Sequence, residues 1–288
     1  MKFALIGGNT RWSKILIKNF QKSGHTLLFT SSNYIEKKNN YKNFKQIPIE
    51  KLDFIILSSS TIKNFKALKY FITKKLPLFV EKPITSNYKN FLEIKKLDKL
   101  NLVFVHYQHI YSDPINFLKK QFKKENLKSI NIVFGKNGPY KNINSSYEWL
   151  PHPLSILFHL INYDLNLSTK YSEYISKKKT NIIINGNIKN KIFLNIQSGN
   201  NFIRKKYLLR VETNKKIYTY NAINPKEMIV NQHNNNKKII YKFKDFPLES
   251  SIKIFNKILD NSQKKKIIIK YNNYITNKIM KYFYKYNL

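Results

Sequence analysis

Lysine is abundant in this chain, but one lysine is framed by residues that give it chemistry. Glu81-Lys82-Pro83 follows a short apolar run, Leu78-Phe79-Val80. A run of that kind reads as a buried strand, and the lysine stands where the strand should end. Ligands of open α/β sheets bind at the carboxyl edge of their strands. Proline at position 83 biases Lys82 away from helix, so the chain is expected to turn there. An ammonium held at a fixed place beside a ligand can move protons. A second cluster, Tyr147-Glu148-Trp149-Leu150-Pro151-His152-Pro153, places a carboxylate four residues before an imidazole. A helical turn would bring the two to one side. The carboxylate would then orient the ring and raise its basicity. A Lys, an acid and a His converging on one cleft suit removal of a hydroxyl proton during hydride transfer. The alternative for His152 is a helix-capping role.

These residues need a frame that positions them. The first hundred residues alternate short apolar segments with amphipathic helical ones. Strands are expected over Lys2–Ile6, His25–Thr30, Asp53–Leu57, Leu78–Glu81 and Val103–His106. Helices are expected at Ile15–Phe20, from Thr61 to about Lys74, and from Ser86 to about Leu100. Such alternation implies right-handed crossovers and a doubly wound parallel sheet. After a helix at about Pro114–Lys124 the pattern changes. Longer strands are expected at Ser129–Phe134, Thr180–Ile184, Ile192–Gln197, Tyr207–Thr213, Lys216–Tyr220 and Lys237–Phe243, in an antiparallel sheet. One helix, about Pro151–Asn162, interrupts them, and helices at about Leu248–Leu259 and Tyr274–Tyr284 close the chain. The fold class is therefore α/β. A Rossmann-type N-terminal domain, residues 1–106, precedes an α+β domain with a large, mostly antiparallel open sheet, residues 107–271. The final helix, about 272–288, is expected to return to the first domain. The lysine-rich run from Ser262 to Lys266 reads as a loop tip.

The turn after the first strand, Gly7-Gly8-Asn9-Thr10-Arg11-Trp12-Ser13, is where a dinucleotide phosphate would sit. A dinucleotide turn wants glycines spaced G-x-G-x-x-G. Counting from Gly8, Thr10 and Ser13 replace the second and third. Helix N-terminal amides would still face the phosphate, with the Thr10 and Ser13 hydroxyls and Arg11 as added donors. An ordinary strand-to-helix turn is the alternative. The second strand ends Thr30-Ser31-Ser32, with no Asp or Glu to receive ribose hydroxyls. Ser31, Ser32 and Lys37 or Lys38 can instead accept a 2′-phosphate, which tilts the cofactor toward NADP over NAD. His106 and His109 invite a metal reading. Their spacing lacks a thiolate or an adjacent acid, so no metal is expected, and a place in the substrate pocket is the functional alternative.

Composition excludes several classes. The chain has no cysteine, so disulfides, cysteine-held clusters and thiol catalysis are out. No apolar run reaches the ~18 residues of a membrane span. The N-terminus lacks the pattern of a signal peptide, so the expected location is the cytoplasm. The charge of +37 arises from 53 Lys+Arg against 16 Asp+Glu. That balance suggests nucleic acid as a partner. Against it, arginine occurs only at 11, 204 and 210, and the lysines spread over the whole chain. Neither a nucleic-acid nor a membrane partner is expected.

At this point the chain resembles the Gfo/Idh/MocA oxidoreductases, relatives of glucose–fructose oxidoreductase and inositol dehydrogenase. Val80-Glu81-Lys82-Pro83-Ile84 resembles the family's E-K-P motif, and Glu148-x-x-x-His152 its D-x-x-x-H motif. Asp53–Ser59 resembles the strand and turn that pass the nicotinamide ribose. Asn64 stands where many members carry His, and Ser155 where many carry a further acid. Gly135–Tyr140 is similar to one branch. The resemblance implies a bound NAD or NADP and a sugar, cyclitol or polyol substrate. It also implies a homodimer or homotetramer built through the second sheet. The implied catalytic residues are Lys82, His152 and Glu148. The cofactor set is Gly8, Thr10, Arg11, Trp12, Ser13, Ser31, Ser32, Ser58, Ser59, Glu81 and Lys82. His106, His109 and Tyr140 are the substrate candidates. The alternative is a member that has lost tight cofactor binding and serves as a binding or scaffold protein.

Overall fold

The computed structural model describes residues 1–32, 39–122, 124–138, 145–161, 169–176, 179–188, 191–234, 237–260 and 263–286. The chain divides into two compact units, Met1–Tyr107 with Ser251–Asn287, and Gln108–Ser250.

The first unit opens with β1 (Lys2–Ile6), α1 (Arg11–Lys22), β2 (Thr26–Ser31), β3 (Asn40–Tyr41), β4 (Phe54–Leu57), α2 (Thr61–Ile72), β5 (Leu78–Glu81), α3 (Tyr88–Leu97) and β6 (Val103–His106). Its six strands lie in the order β3-β2-β1-β4-β5-β6, all parallel. Phe3–Ile6, Phe54–Leu57 and Leu78–Val80 are buried without alternation. That is the pattern of strands covered on both faces. Phe20 of α1 packs on Phe3 and Phe54, with ring centroids 5.7 and 5.5 Å apart.

The second unit contains α4 (Asp113–Gln121), β7 (Leu127–Asn137), α5 (Ser145–Trp149), α6 (Pro151–Leu160) and the strands β8 (Thr169–Ser176), β9 (Lys179–Ile188), β10 (Ile192–Gly199), β11 (Asn201–Thr213), β12 (Lys216–Asn221), β13 (Glu227–Gln232) and β14 (Lys238–Lys242). The eight strands run β14-β13-β12-β11-β7-β10-β9-β8. Every pair is antiparallel except β7 with β10. One face is apolar and buried, with Ile132, Phe134, Ile184, Ile196, Leu209, Val211, Tyr218, Tyr220 and Val230 each below a few percent exposure. The opposite face carries a polar row in register, Asn185, Asn195, Asn131, Arg210 and Thr219. The alternation of period two sets both faces.

The chain then returns to the first unit through α7 (Pro247–Leu259) and α8 (Lys264–Lys285). The sequence had brought back only the last helix, from 272. Phe255 of α7 explains the earlier return, since its ring packs on Phe20, Phe54, Phe79 and Phe104. α8 begins ten residues before the expected Tyr274, and Lys264–Lys266 lie within it rather than in a loop. The apolar stripe is broken by Asn272, which is fully buried. Its Nδ2 donates to the Val105 carbonyl and its Oδ1 accepts from the Val105 amide, both at 2.8 Å. Val105 lies on β6, the last strand of the sheet, so one carboxamide satisfies an otherwise unpaired backbone edge. Asn272→Ala is expected to cost about 2–4 kcal/mol, read from urea midpoints, because two buried backbone groups lose their partners. No described helix is long and apolar enough to cross a membrane.

Candidate active site

In the first unit, β1, β4, β5 and β6 end along one edge, with Ile6 beside Leu57 and Glu81 beside His106. The turn after β1 approaches the turn after β4 very closely. Gly7 has φ +99°, and a Cβ there would lie 2.6 Å from the Ser59 amide nitrogen and 2.7 Å from the Ser58 carbonyl. Only glycine fits. Gly8 carries no such demand, since its Cβ would meet Thr30 at 3.4 Å. The tight turn therefore belongs to Gly7, where the sequence had counted from Gly8. Two adjacent glycines hid the difference.

The substituted positions Thr10 and Ser13 act inward. Thr10 caps α1, its Oγ1 accepting the Ser13 amide at 3.0 Å. Ser13 is fully buried, donates its hydroxyl to the Gly7 carbonyl at 2.8 Å, and lies 3.1 Å from the Ser58 hydroxyl. The expectation that the Ser13 hydroxyl serves a phosphate is corrected, since it is buried within the turn, whereas Thr10 caps α1 and stays exposed. The Arg11 and Trp12 amides remain at the head of α1, with no acid in its first turn and an exposed Arg11 beside them. A glycine cradle, two helix-head amides and an arginine fit a pyrophosphate. Ser59 gives both its amide and its hydroxyl to Asn64 Oδ1, at 3.0 and 2.6 Å. Asn64, buried, thus holds the β4–α2 turn. Ser31 is buried and its carbonyl accepts the Gly7 amide at 2.8 Å, while Ser32 is half-buried and its amide binds the Tyr41 carbonyl. Lys37, Lys38 and Tyr140 lie outside the described residues.

Glu81 sits at the end of β5, mostly covered. Its Oε1 accepts the Trp12 indole N–H at 2.8 Å and lies 2.7 Å from His106 Nδ1. Burial alone would push this carboxyl up, but His106, the Trp12 hydrogen bond and the Lys82 charge outweigh it and hold it below the ordinary range. His106 Nε2 lies 2.9 Å from Ser251 Oγ on α7. Both ring nitrogens of His106 are thus taken within the first unit, and the residue is 2% exposed. The expectation that His106 faces substrate is replaced by a structural role, fixing Glu81. Lys82 follows immediately, half-buried, and the Lys82–Pro83 bond is cis.

In the second unit, α5 ends at Trp149 and α6 begins at Pro151. Leu150 keeps helical dihedrals between them, φ −64° and ψ −27°. The Glu148–His152 spacing therefore runs through a nearly continuous helical stretch. Every residue of α6 is buried except His152, which is partly exposed. Ser155 is buried and donates to the His152 carbonyl at 2.8 Å, so it holds the backbone. Rings surround His152: His109 at 5.8 Å, Phe134 at 6.1 Å and Trp149 at 6.3 Å. His109 therefore does meet a proposed catalytic residue, whereas His106 belongs to the other unit. No group of three or more metal-ligating side chains occurs among the described residues. The aromatic residues Phe134, Trp149 and Tyr207 were not singled out in the sequence. For Phe134 and Tyr207, alternation along β7 and β11 was the only signal, and it marks them as core; Trp149 stood inside the Glu148–His152 cluster without a role of its own.

No family model and no curated protein matches the sequence. Solved structures match it over nearly its whole length. A dehydrogenase (MviM) from Clostridium difficile superposes with TM-score 0.76 at 15% identity, covering 98% of this chain and 99% of that one. A Gfo/Idh/MocA family oxidoreductase from Vibrio cholerae gives 0.72 at 12% identity, over 96% and 94%. The chain has the Gfo/Idh/MocA fold. Another protein of this fold, UDP-N-acetylglucosamine 3-dehydrogenase GnnA from Acidithiobacillus ferrooxidans, gives 0.74 at 11% identity, over 91% and 90%. The Gfo/Idh/MocA fold explains why a parallel nucleotide-type sheet precedes a broad open one here.

A buried histidine makes the second unit acid-sensitive. His159 on α6 is covered, and burial, with Lys119 adding, pulls its imidazole down to about 3. The unfolded chain takes up that proton near its ordinary value of about 6.5, and the folded chain does not. Stability is therefore complete above about 6.5 and falls as the pH drops toward 3, by at most about 1.4 kcal/mol per unit. The melting temperature is expected to fall between pH 7 and pH 5. His159→Phe should flatten that limb; an unchanged slope in the variant would assign it to other groups.

Proposed function

We propose that the protein is an NAD(P)-dependent oxidoreductase acting on a hydroxyl of a sugar, cyclitol or related polyol, with NADP favoured. The observation that carries this is the turn at Gly7. Its backbone approach, helix-head amides and Arg11 suit a dinucleotide phosphate, and the E-K-P segment ends the strand two places along the same edge. The fold shared with dehydrogenases supports it. The nicotinamide supplies the hydride acceptor when bound. His152 or Lys82 takes the proton of the hydroxyl whose carbon loses hydride, leaving a carbonyl. Glu148 orients or tunes His152. Glu81 holds the Lys82 segment through Trp12 and His106.

We also place the protein in the cytoplasm as a homodimer or homotetramer through the outer face of the second sheet. Phe193 there is 70% exposed, and Ile183, Leu208, Ile217 and Ile229 are half-buried. The function is tested by incubating the protein with oxidised NADP or NAD and a series of hexoses, hexose phosphates, nucleotide sugars and inositols. Appearance of reduced nicotinamide with one class supports the reading. Its absence with all of them, alongside tight binding of a partner protein, favours the scaffold alternative.

A further inference from the structure

The aromatic wall around His152 carries cations. Tyr207 lies parallel to Phe134, 5.1 Å away with an 8° tilt, and 5.9 Å from Trp149. The Lys136 ammonium sits 5.8 Å from the Trp149 ring centroid, and the Lys205 ammonium 4.6 Å from that of Tyr207. Both geometries fall within the range in which a ring attracts a cation. The strands explain the clustering. β11 loses its register with β7 between Asn201 and Lys206. Phe202 folds over Gly135, where a Cβ would lie 2.2 Å from its ring. The residues that follow, Ile203 to Lys206, turn outward and are exposed. Arg204, Lys205 and Lys206 thereby join Lys136 at one end of the two strands.

A neutral sugar would use the rings and His152 but has no use for ammonium groups on them. We propose that the substrate is a sugar bearing a phosphoryl or carboxylate group, with that anion held by Lys136 and Lys205 beside the wall that contains His152. The choice of His152 as the reacting end rests on the oxidoreductase reading. The anion contacts do not.

Calorimetric titration of the full chain tests this with four probes: glucose, glucose 6-phosphate, glucuronate and uridine diphosphate. At least one anionic probe is expected to bind about tenfold or more tighter than glucose, weakening with added salt as ion pairing requires. The ranking of phosphate, carboxylate and nucleoside diphosphate names the group. In a Lys136→Gln/Lys205→Gln variant that preference should vanish while affinity for reduced nicotinamide stays the same. With an active anionic substrate, KM should rise about tenfold or more and kcat should hold. Anionic probes no tighter than glucose, or equally tight in the variant, would overturn the proposal. Lysine-dependent anion binding without any nicotinamide binding would sink the oxidoreductase reading and leave the anion site standing. Oxidation of a neutral polyol, unaffected by the two substitutions, would do the reverse.

Discussion

Lys82→Ala is expected to lower kcat by about 10²–10⁴-fold, the usual weight of a positioned proton-transfer group. KM for cofactor should move less than kcat, because the proposed pyrophosphate contacts lie on the β1–α1 turn and the Lys82 contact expected from the family resemblance is one among many. The side chain is half-buried, and the backbone on either side is held independently of it. Before it, Glu81 is fixed by Trp12 and His106. After it, Ile84 and Thr85 are buried, and Thr85 donates to the Asn87 carbonyl at 2.8 Å. The melting temperature of the variant should therefore match that of the parent. Steady-state kinetics and a melting curve on one preparation separate a chemical defect from a folding defect. A kcat within about twofold of the parent would remove Lys82 from the chemistry. His152→Ala belongs to the same experiment, and if both variants keep their turnover the mechanism is wrong.

Gly7→Ala is expected to have the larger effect on the fold. The residue holds φ +99°, and the added methyl would press on the backbone of Ser58 and Ser59, which cannot move as a side-chain tip can. A loss of about 2–4 kcal/mol follows from the dihedral and the clash together, read from urea denaturation. Reduced nicotinamide should bind at least tenfold more weakly, since the turn must open where the pyrophosphate would lie. Gly8→Ala is the control: its methyl meets Thr30 at an ordinary contact distance, and under about 1 kcal/mol is expected. Equal effects at the two positions would contradict the account of this turn.

Five strands of the parallel sheet were legible, β1, β4, β5 and β6 most clearly because they are short apolar runs between amphipathic segments; β3, Asn40–Tyr41, escaped because two half-buried polar residues leave no pattern. The second sheet was legible only where alternation was strong. β13, Glu227–Gln232, and β8, Thr169–Ser176, escaped because their short or polar runs lack a clear apolar face in the sequence. The parallel pairing of β7 with β10 leaves no local trace, since strand direction is set by the connections. Asn272 hid the first half of α8, a polar residue at a core position that answers to a strand edge. The motif residues were legible by type and spacing, but their directions were not. His106 and His109 look alike in the chain, yet one is taken up by Glu81 and Ser251 and the other lies against the ring of His152. Thr10 and Ser13 read as lost glycines. In the fold the Ser13 hydroxyl holds the Gly7 carbonyl and Thr10 caps α1 through the Ser13 amide.

The central claim is that this turn receives a dinucleotide. Titration of the full-length protein into reduced NADPH and NADH, followed by nicotinamide fluorescence, tests it most directly. Saturable enhancement is predicted below millimolar concentration, tighter for NADPH, and lost in Gly7→Ala but kept in Lys82→Ala. No binding of either nucleotide at millimolar concentration would contradict the account.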